Sequence, residues 1–377
     1  MSDPAQMAKV QSIVALTALA TLVLVGCSGR PSQGVLVPVA ETVPGAARVP
    51  VLVATTRQRS PLDKGEMFSG NRGDVVSYAA ITVSIPPDAS REVGQIQWPS
   101  SIPGDPRRDF VTVSADYIEK GVFINSVATE AKRGRLGKVL IFVHGFNNKF
   151  DDAVYRFAQI VHDSKAPSVP VLFTWPSRGE IQLGSYTYDR ESANYSRDAL
   201  EELIDTLDRN PNVSEINLLA HSMGNWVALE ALRSRYIRPA RSSDKLKNVM
   251  LVAPDVDVDV FHTQIRRMGS KRPRFALFVS QDDSALALSK TIWGGVPRLG
   301  EVNPEEDPYR SELAQDHIEV FDLTSLKKAG DDAHDRAFSD VTSVVGMIKQ
   351  RLKDGQPMSE GKSITMNQPL NLEDKFR

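Results

Sequence analysis

The chain has 377 residues, 41% hydrophobic and 24% charged, which is enough apolar material for one large domain or two ordinary ones. Its 45 Lys and Arg against 47 Asp and Glu leave a net charge of −2, no field to hold a polyanion, so a dedicated nucleic-acid binder is excluded. A single cysteine excludes an intrachain disulfide and any zinc site built from cysteines.

The first element is Ile13 to Val25 (IVALTALATLVLV), an uncharged apolar run. It is shorter than the ~20 residues a membrane-spanning helix needs and has the length of a signal-peptide core. It predicts a signal peptide over residues 1–26, read from Met1 or, more cleanly, from Met7. The run ends in Leu24-Val25-Gly26-Cys27, which resembles the lipobox of bacterial lipoproteins. That resemblance implies cleavage before Cys27, lipidation of its thiol with palmitate-type acyl chains, and a membrane anchor. The alternative is an ordinary secretory signal in which Cys27 is incidental. Ser28 rather than Asp follows, which in a two-membrane bacterium implies the outer membrane, facing the periplasm.

Residues 27–50 are rich in Pro, Gly, Ala and Val and predict a flexible tether. Residues 51–353 form the expected folded domain, and 354–377 a polar, mobile tail. VLVATTR (Val51–Arg57), SYAAITVSI (Ser77–Ile85), DFVTVSA (Asp109–Ala115) and VFINSV (Val122–Val127) read as mostly antiparallel strands. After Gly137 short apolar runs alternate with amphipathic stretches. The runs are Lys138–His144, Val169–Trp175, Ile216–His221, Lys247–Ala253, Arg274–Ser280 and His317–Leu323. The helices fall at Asp151–His162, Ala193–Asp208, Met223–Arg235, Val256–Arg267, Asp283–Lys290 and Phe338–Arg351. Such alternation predicts an α/β fold, a mostly parallel central sheet with antiparallel N-terminal strands and helices on both faces.

Two strand ends carry chemistry. INLLAHSMGNWVALEAL sets Ala220-His221-Ser222-Met223-Gly224 between a strand and a helix. It resembles the nucleophile elbow of the α/β-hydrolase fold, with Ala where the first Gly usually stands. A serine on that turn projects its Oγ from the sheet, and the small residues at −2 and +2 let neighbouring backbone pass. The bland alternative makes Ser222 a helix N-cap. KVLIFVHGFNNKF ends the earlier strand with His144-Gly145-Phe146-Asn147-Asn148. Gly145 lets the backbone fold against the nucleophile, so that the N–H groups of Phe146 and Met223 can form an oxyanion hole. His144 is expected to orient this loop rather than act as base.

In α/β-hydrolases the triad runs Ser, then acid, then His. Asp255, Asp257, Asp282 and Asp283 all lie at strand ends after Ser222. Asp283 is preferred, with an N-cap carboxylate as its alternative role. Among the later histidines, His262 falls in a helix and His317 at the wrong end of the last strand. His334, in the loop AGDDAHDRAFSD, is the expected base.

Taken together, VATTR, FVHGFNNKFDDAVYRFAQ, FTWPSRG, YDRESANYS, LLAHSMGNWVALEAL and APDVDVDVF resemble a bacterial family of α/β-hydrolases catalogued only as a domain of unknown function. The resemblance runs from about Val51 to Lys349. One departure is His334-Asp335-Arg336, where the family usually carries a stretch such as His-Ser-Tyr. The residues point to a serine hydrolase cleaving carboxylic esters of small or lipid-like molecules through an acyl-enzyme on Ser222. An acyltransferase at the same site, or a decayed lipoprotein serving as a binding scaffold, are the alternatives. No cofactor or metal is implied. The long segment after Trp175, with Tyr186, Tyr188 and Tyr195, is expected to wall the site or to anchor a loop.

Overall fold

The computed structural model describes residues 31, 33–61, 65–133, 137–238, 245–326, 333–335, 338 and 364–365. The signal segment, Cys27 and most of the last predicted helix and tail lie outside the described residues. Ten strands are described: β1 (Ala47–Arg59), β2 (Phe68–Ile85), β3 (Val111–Ile118), β4 (Lys138–Val143), β5 (Val169–Thr174), β6 (Glu215–His221), β7 (Leu246–Val252), β8 (Arg274–Val279), β9 (Glu319–Asp322) and β10 (Ile364–Thr365). They form one sheet in the order β10-β9-β8-β7-β6-β4-β5-β1-β2-β3. Pairing is parallel from β10 to β1, and β2 runs antiparallel to both of its neighbours, β1 and β3.

The helices are α1 (Lys120–Lys132), α2 (Phe150–Ser164), α3 (Leu183–Arg209), α4 (Gly224–Tyr236), α5 (Val258–Met268), α6 (Ser284–Ile292) and α7 (Tyr309–Gln315). Alternate strand residues supply two cores. Val139, Ile141 and Val143 of β4 face a cluster with Phe123 of α1, Leu200 of α3, Val227 of α4 and Phe261 of α5. Leu140 and Phe142 face the other way, onto Val154 and Phe157 of α2 and onto Phe338. This two-sided burial explains why the parallel strands read as continuous apolar runs rather than alternating ones. Each such buried Val or Phe contributes about 1.5–3 kcal/mol of apolar burial. Among the described residues no helix is long and apolar enough to cross a membrane.

Three expectations differ from the structure. Val122–Val127 is not a strand but part of α1; Phe123, Val127 and Ala131 recur every fourth residue and are its buried face. The β-branched residues of that short run outweighed its period. The tether expected over 27–50 is docked in its described part, for Val35 and Leu36 are buried and the Val35 carbonyl accepts from Thr112 Oγ1 and Tyr155 Oη. β1 already begins at Ala47. In the polar tail, Ile364–Thr365 pairs in parallel with Phe321–Asp322 of β9.

The topology sets the position of the site. From β4 the chain moves to β5 on one side, then crosses back to β6 on the other. Neighbouring crossovers diverge there, opening a crevice above the carboxyl ends of β4 and β6.

Candidate active site

Ser222 follows the last residue of β6 with φ +50°, a left-handed conformation that costs a non-glycine residue roughly 1–2 kcal/mol. Surrounding hydrogen bonds hold it there. Ser222 N–H donates to Val252 O at 3.0 Å, and Ser222 O accepts from Asn225 N (3.1 Å) and Asn225 Nδ2 (2.9 Å). Asn225 Nδ2 also reaches Val252 O at 3.0 Å, tying the turn to β7. The neighbouring small residues answer to sterics. A Cβ at Gly224 would stand 2.8 Å from Val143 O and against His144 O, and one at Gly145 would stand 2.7 Å from Ser222 Cβ. Ala220, paired between Val143 and Leu251, is fully buried. The loop after β4 and the elbow after β6 are therefore packed backbone to backbone.

Asp283 lies after β8, His334 after β9, both at the same end of the sheet as Ser222. Asp283 is buried and its two oxygens divide their work. Oδ1 accepts from Ala285 N and Leu286 N, both at 3.0 Å, capping α6, while Oδ2 lies 2.7 Å from His334 Nδ1. The cap and the histidine contact thus coexist in one carboxylate. The other acids are engaged elsewhere. Asp255 takes Tyr186 Oη on Oδ2 and Ser289 Oγ on Oδ1, both at 2.6 Å. Asp257 caps α5 through Val260 N at 3.1 Å, and Asp282 Oδ1 accepts from Ser280 Oγ at 3.0 Å. His262 contacts Asp316 at 2.5 Å and Glu312 at 3.1 Å. His317 precedes β9, at the opposite end of the sheet.

The turn carrying His334 is braced from below by residues that sequence reasoning passed over. His221 Nε2 lies 3.2 Å from the His334 carbonyl, which can only accept, so Nε2 carries the proton. The His221 and His334 ring centroids are 4.8 Å apart. Asp335, the departure from the family pattern, is ion-paired to Arg156 at 3.0 Å. Burial foremost, then the charge of His334, pushes the His221 pKa down from 6.5 to about 4. An unfolded chain thus takes up a proton near pH 6.5 that the folded chain refuses until about pH 4. Stability attributable to His221 is present above pH 6.5 and is lost as pH falls towards 4. Urea unfolding between pH 7 and 4.5 should show this slope, and His221→Asn should flatten it; an identical slope in the variant would refute the assignment.

The loop before α2 is held from behind by a second buried network. His144 Nδ1 lies 2.9 Å from Gly145 O and must donate to it. Its Nε2 therefore accepts, from Trp175 N at 3.2 Å, with Thr174 Oγ1 at 2.9 Å. Burial first, then the Arg57 charge, holds the His144 pKa well below 6.5, so the ring stays neutral. A trans peptide points its N–H opposite to its carbonyl, so fixing Gly145 O against His144 turns the Phe146 N–H away from that ring. Arg57, at the end of β1, is itself buried. Its guanidinium reaches Thr174 Oγ1 (2.9 Å), Ser177 O (2.8 Å) and Asn148 O (2.7 Å), and burial lowers its pKa to about 10, still cationic at neutral pH. Asp189 completes the cluster through Ser177 Oγ at 2.5 Å and Arg178 N at 2.9 Å. The signal for this network was present in VATTR and FTWPSRG, whose polar residues end two paired parallel strands, Thr55 beside Thr174.

Beside Met223 opens a cavity of about 240 Å³, walled by Tyr186, Arg190, Trp226, Trp293 and Arg298. Tyr186 and Arg190 come from α3, whose start at Leu183 makes helix of much of the segment expected as a long loop. Phe146 meets Tyr186 edge-on at 5.2 Å behind the cavity wall that Tyr186 and Met223 share.

No curated protein matches the chain. Among solved structures, the siderophore hydrolase EstB from Aspergillus nidulans is similar at 14% identity and TM-score 0.37, covering 86% of this chain and 99% of that one. A lipase-esterase related protein from Clostridium acetobutylicum matches at 12% identity and TM-score 0.27, covering 57% and 94%. Phospholipase PlaB from Legionella pneumophila matches at 9% and 0.21, covering 38% and 40%. A family model described as alpha/beta hydrolase of unknown function (DUF900) matches residues 120–351, from the start of α1 past the His334 turn. With the strand–elbow–helix at Ser222 and this sheet order, the chain belongs to that α/β-hydrolase family.

Proposed function

We propose that the protein is a serine hydrolase that cleaves carboxylic esters through an acyl-enzyme on Ser222. The observation that carries this reading is the 2.7 Å contact of Asp283 Oδ2 with His334 Nδ1 at the sheet end where Ser222 is held at φ +50°. A carboxylate accepts only, so Nδ1 carries the proton and Nε2 keeps the lone pair that the reading requires of a base for the Ser222 hydroxyl. His334 Nε2 takes the hydroxyl proton as Oγ attacks the ester carbonyl carbon. The carbonyl oxygen becomes an oxyanion, received by the Phe146 and Met223 N–H groups. Collapse expels the alcohol, which takes the proton from His334, and leaves Ser222 acylated. Water then gives its proton to His334, attacks the acyl carbon, and releases the carboxylic acid as Ser222 Oγ recovers the proton.

Asp283 also stabilises the imidazolium formed in each step. The buried Arg57 and His144 act on the oxyanion loop, setting its carbonyls rather than touching substrate. A fluorophosphonate probe on the folded protein should phosphonylate one residue, and peptide mapping should place it on Ser222. Absence of labelling in a folded sample would sink the reading in favour of a binding scaffold.

A further inference from the structure

The cavity beside Met223 is unusually charged for an ester pocket. Its lining carries two arginines, Arg190 and Arg298, against two aspartates, Asp255 and Asp257, and the two arginines are held differently. Asp255 is spent on Tyr186, Ser289 and Arg298, whose Nε stands 3.4 Å from Asp255 Oδ1. Asp257 caps α5. Arg190, half-buried on α3, makes neither hydrogen bond nor ion pair among the described residues. It lies over the rings of Trp293, at 4.2 Å, and Trp226, at 5.4 Å.

Stacking occupies the flat face of a guanidinium and leaves its N–H edge free. The rings are themselves pinned, Trp293 Nε1 on Tyr186 Oη at 3.1 Å and Trp226 Nε1 on Asn194 Oδ1 at 2.6 Å. Arg190 thus stands at the cavity wall with its charge unpaired among the described residues. Arg298, only 6% exposed, lines the same cavity with its charge held by Asp255. At about 240 Å³ the cavity lies below the usual range of ~300–1,000 Å³ for ligand pockets, which fits a short chain rather than a long acyl tail.

We infer that the pocket binds a carboxylate, and that the substrates are short esters carrying one, recognised by Arg190 with Arg298 beside it. This rests on the serine hydrolase reading for its kinetics, although not for its binding. A neutral ester of equal length leaves Arg190 without a partner, so discrimination follows from the lost bidentate contact.

Monomethyl glutarate and dimethyl glutarate, an anionic and a neutral ester of the same chain, test this by methanol release. At low ionic strength kcat/KM should favour the monoester at least tenfold. Arg190→Gln should reduce that ratio about tenfold, and Arg190→Lys should restore part of it. A wild-type preference for the diester, or a ratio unchanged in Arg190→Gln, would overturn the inference while leaving the hydrolase reading intact. If neither ester is turned over and the fluorophosphonate fails too, the hydrolase reading falls, and calorimetry with glutarate still decides the pocket. Glutarate binding weakened about tenfold in Arg190→Gln supports a carboxylate site; equal binding, or none to either protein, refutes it.

Discussion

Ester turnover should fall by at least about 10⁴-fold in Ser222→Ala and by a similar factor in His334→Ala, and the double variant should be no slower than the worse single one. Nucleophile and base act as one unit, so removing either removes the same step, and their losses do not add. What remains is the contribution of the oxyanion donors and of binding, roughly 10³–10⁴ over water in comparable machinery. The assay is kcat/KM on a p-nitrophenyl ester, with far-ultraviolet dichroism to show that both variants fold. Full additivity would mean that the two residues serve different steps. Wild-type activity in His334→Ala would require another base, and the structure leaves little room for one. His221 commits its Nε2 proton to a backbone carbonyl, His144 is buried behind the oxyanion loop, and His262 is engaged by Asp316 and Glu312.

What could be read from the sequence and what could not divide along a physical line. The elbow and the oxyanion loop are local: a strand, a glycine-bearing turn and a helix follow within a dozen residues, and sterics dictate their small residues. Their geometry is written in adjacent positions, Gly224 against His144 O and Gly145 against Ser222. The Asp283–His334 contact spans 51 residues. Only the chain-order rule reached it, and three other acids stayed open until each was seen with its own partners. The Arg57 cluster joins the ends of β1, β4 and β5, and no sequence pattern announces that a buried arginine will find carbonyls instead of a carboxylate. The misread α1 has a different origin. Val122, Ile124 and Val127 are β-branched, yet the face that packs, Phe123, Val127 and Ala131, keeps a helical period. Tyr186 was expected on a loop; α3 carries it into the wall of the cavity instead, and its hydroxyl becomes the partner that removes Asp255 from catalytic contention.

Asp283 offers the sharpest separation of folding from chemistry, because its two oxygens have different tasks. In Asp283→Asn the side-chain carbonyl can still accept from Ala285 N and Leu286 N, so the cap on α6 survives and stability should stay near wild type. The same cap fixes which way the amide faces: turned round, its NH2 would meet two backbone N–H groups. The amide nitrogen must therefore point at His334 Nδ1, 2.7 Å away in the native carboxylate geometry. Two donors cannot share that contact, so the imidazole moves its proton to Nε2 and can no longer accept one from Ser222. Turnover should fall about 10³–10⁴-fold. Asp283→Ala should be as slow and, lacking the cap, about 1 kcal/mol less stable by urea unfolding. If Asp283→Asn instead keeps wild-type kcat/KM, the carboxylate is a cap and nothing more. If both variants lose activity only in proportion to lost stability, the effect is structural. An inactive, fully stable Asp283→Asn is the outcome that only a catalytic acid produces, since the substitution exchanges one oxygen for nitrogen and leaves every other contact of the residue in place.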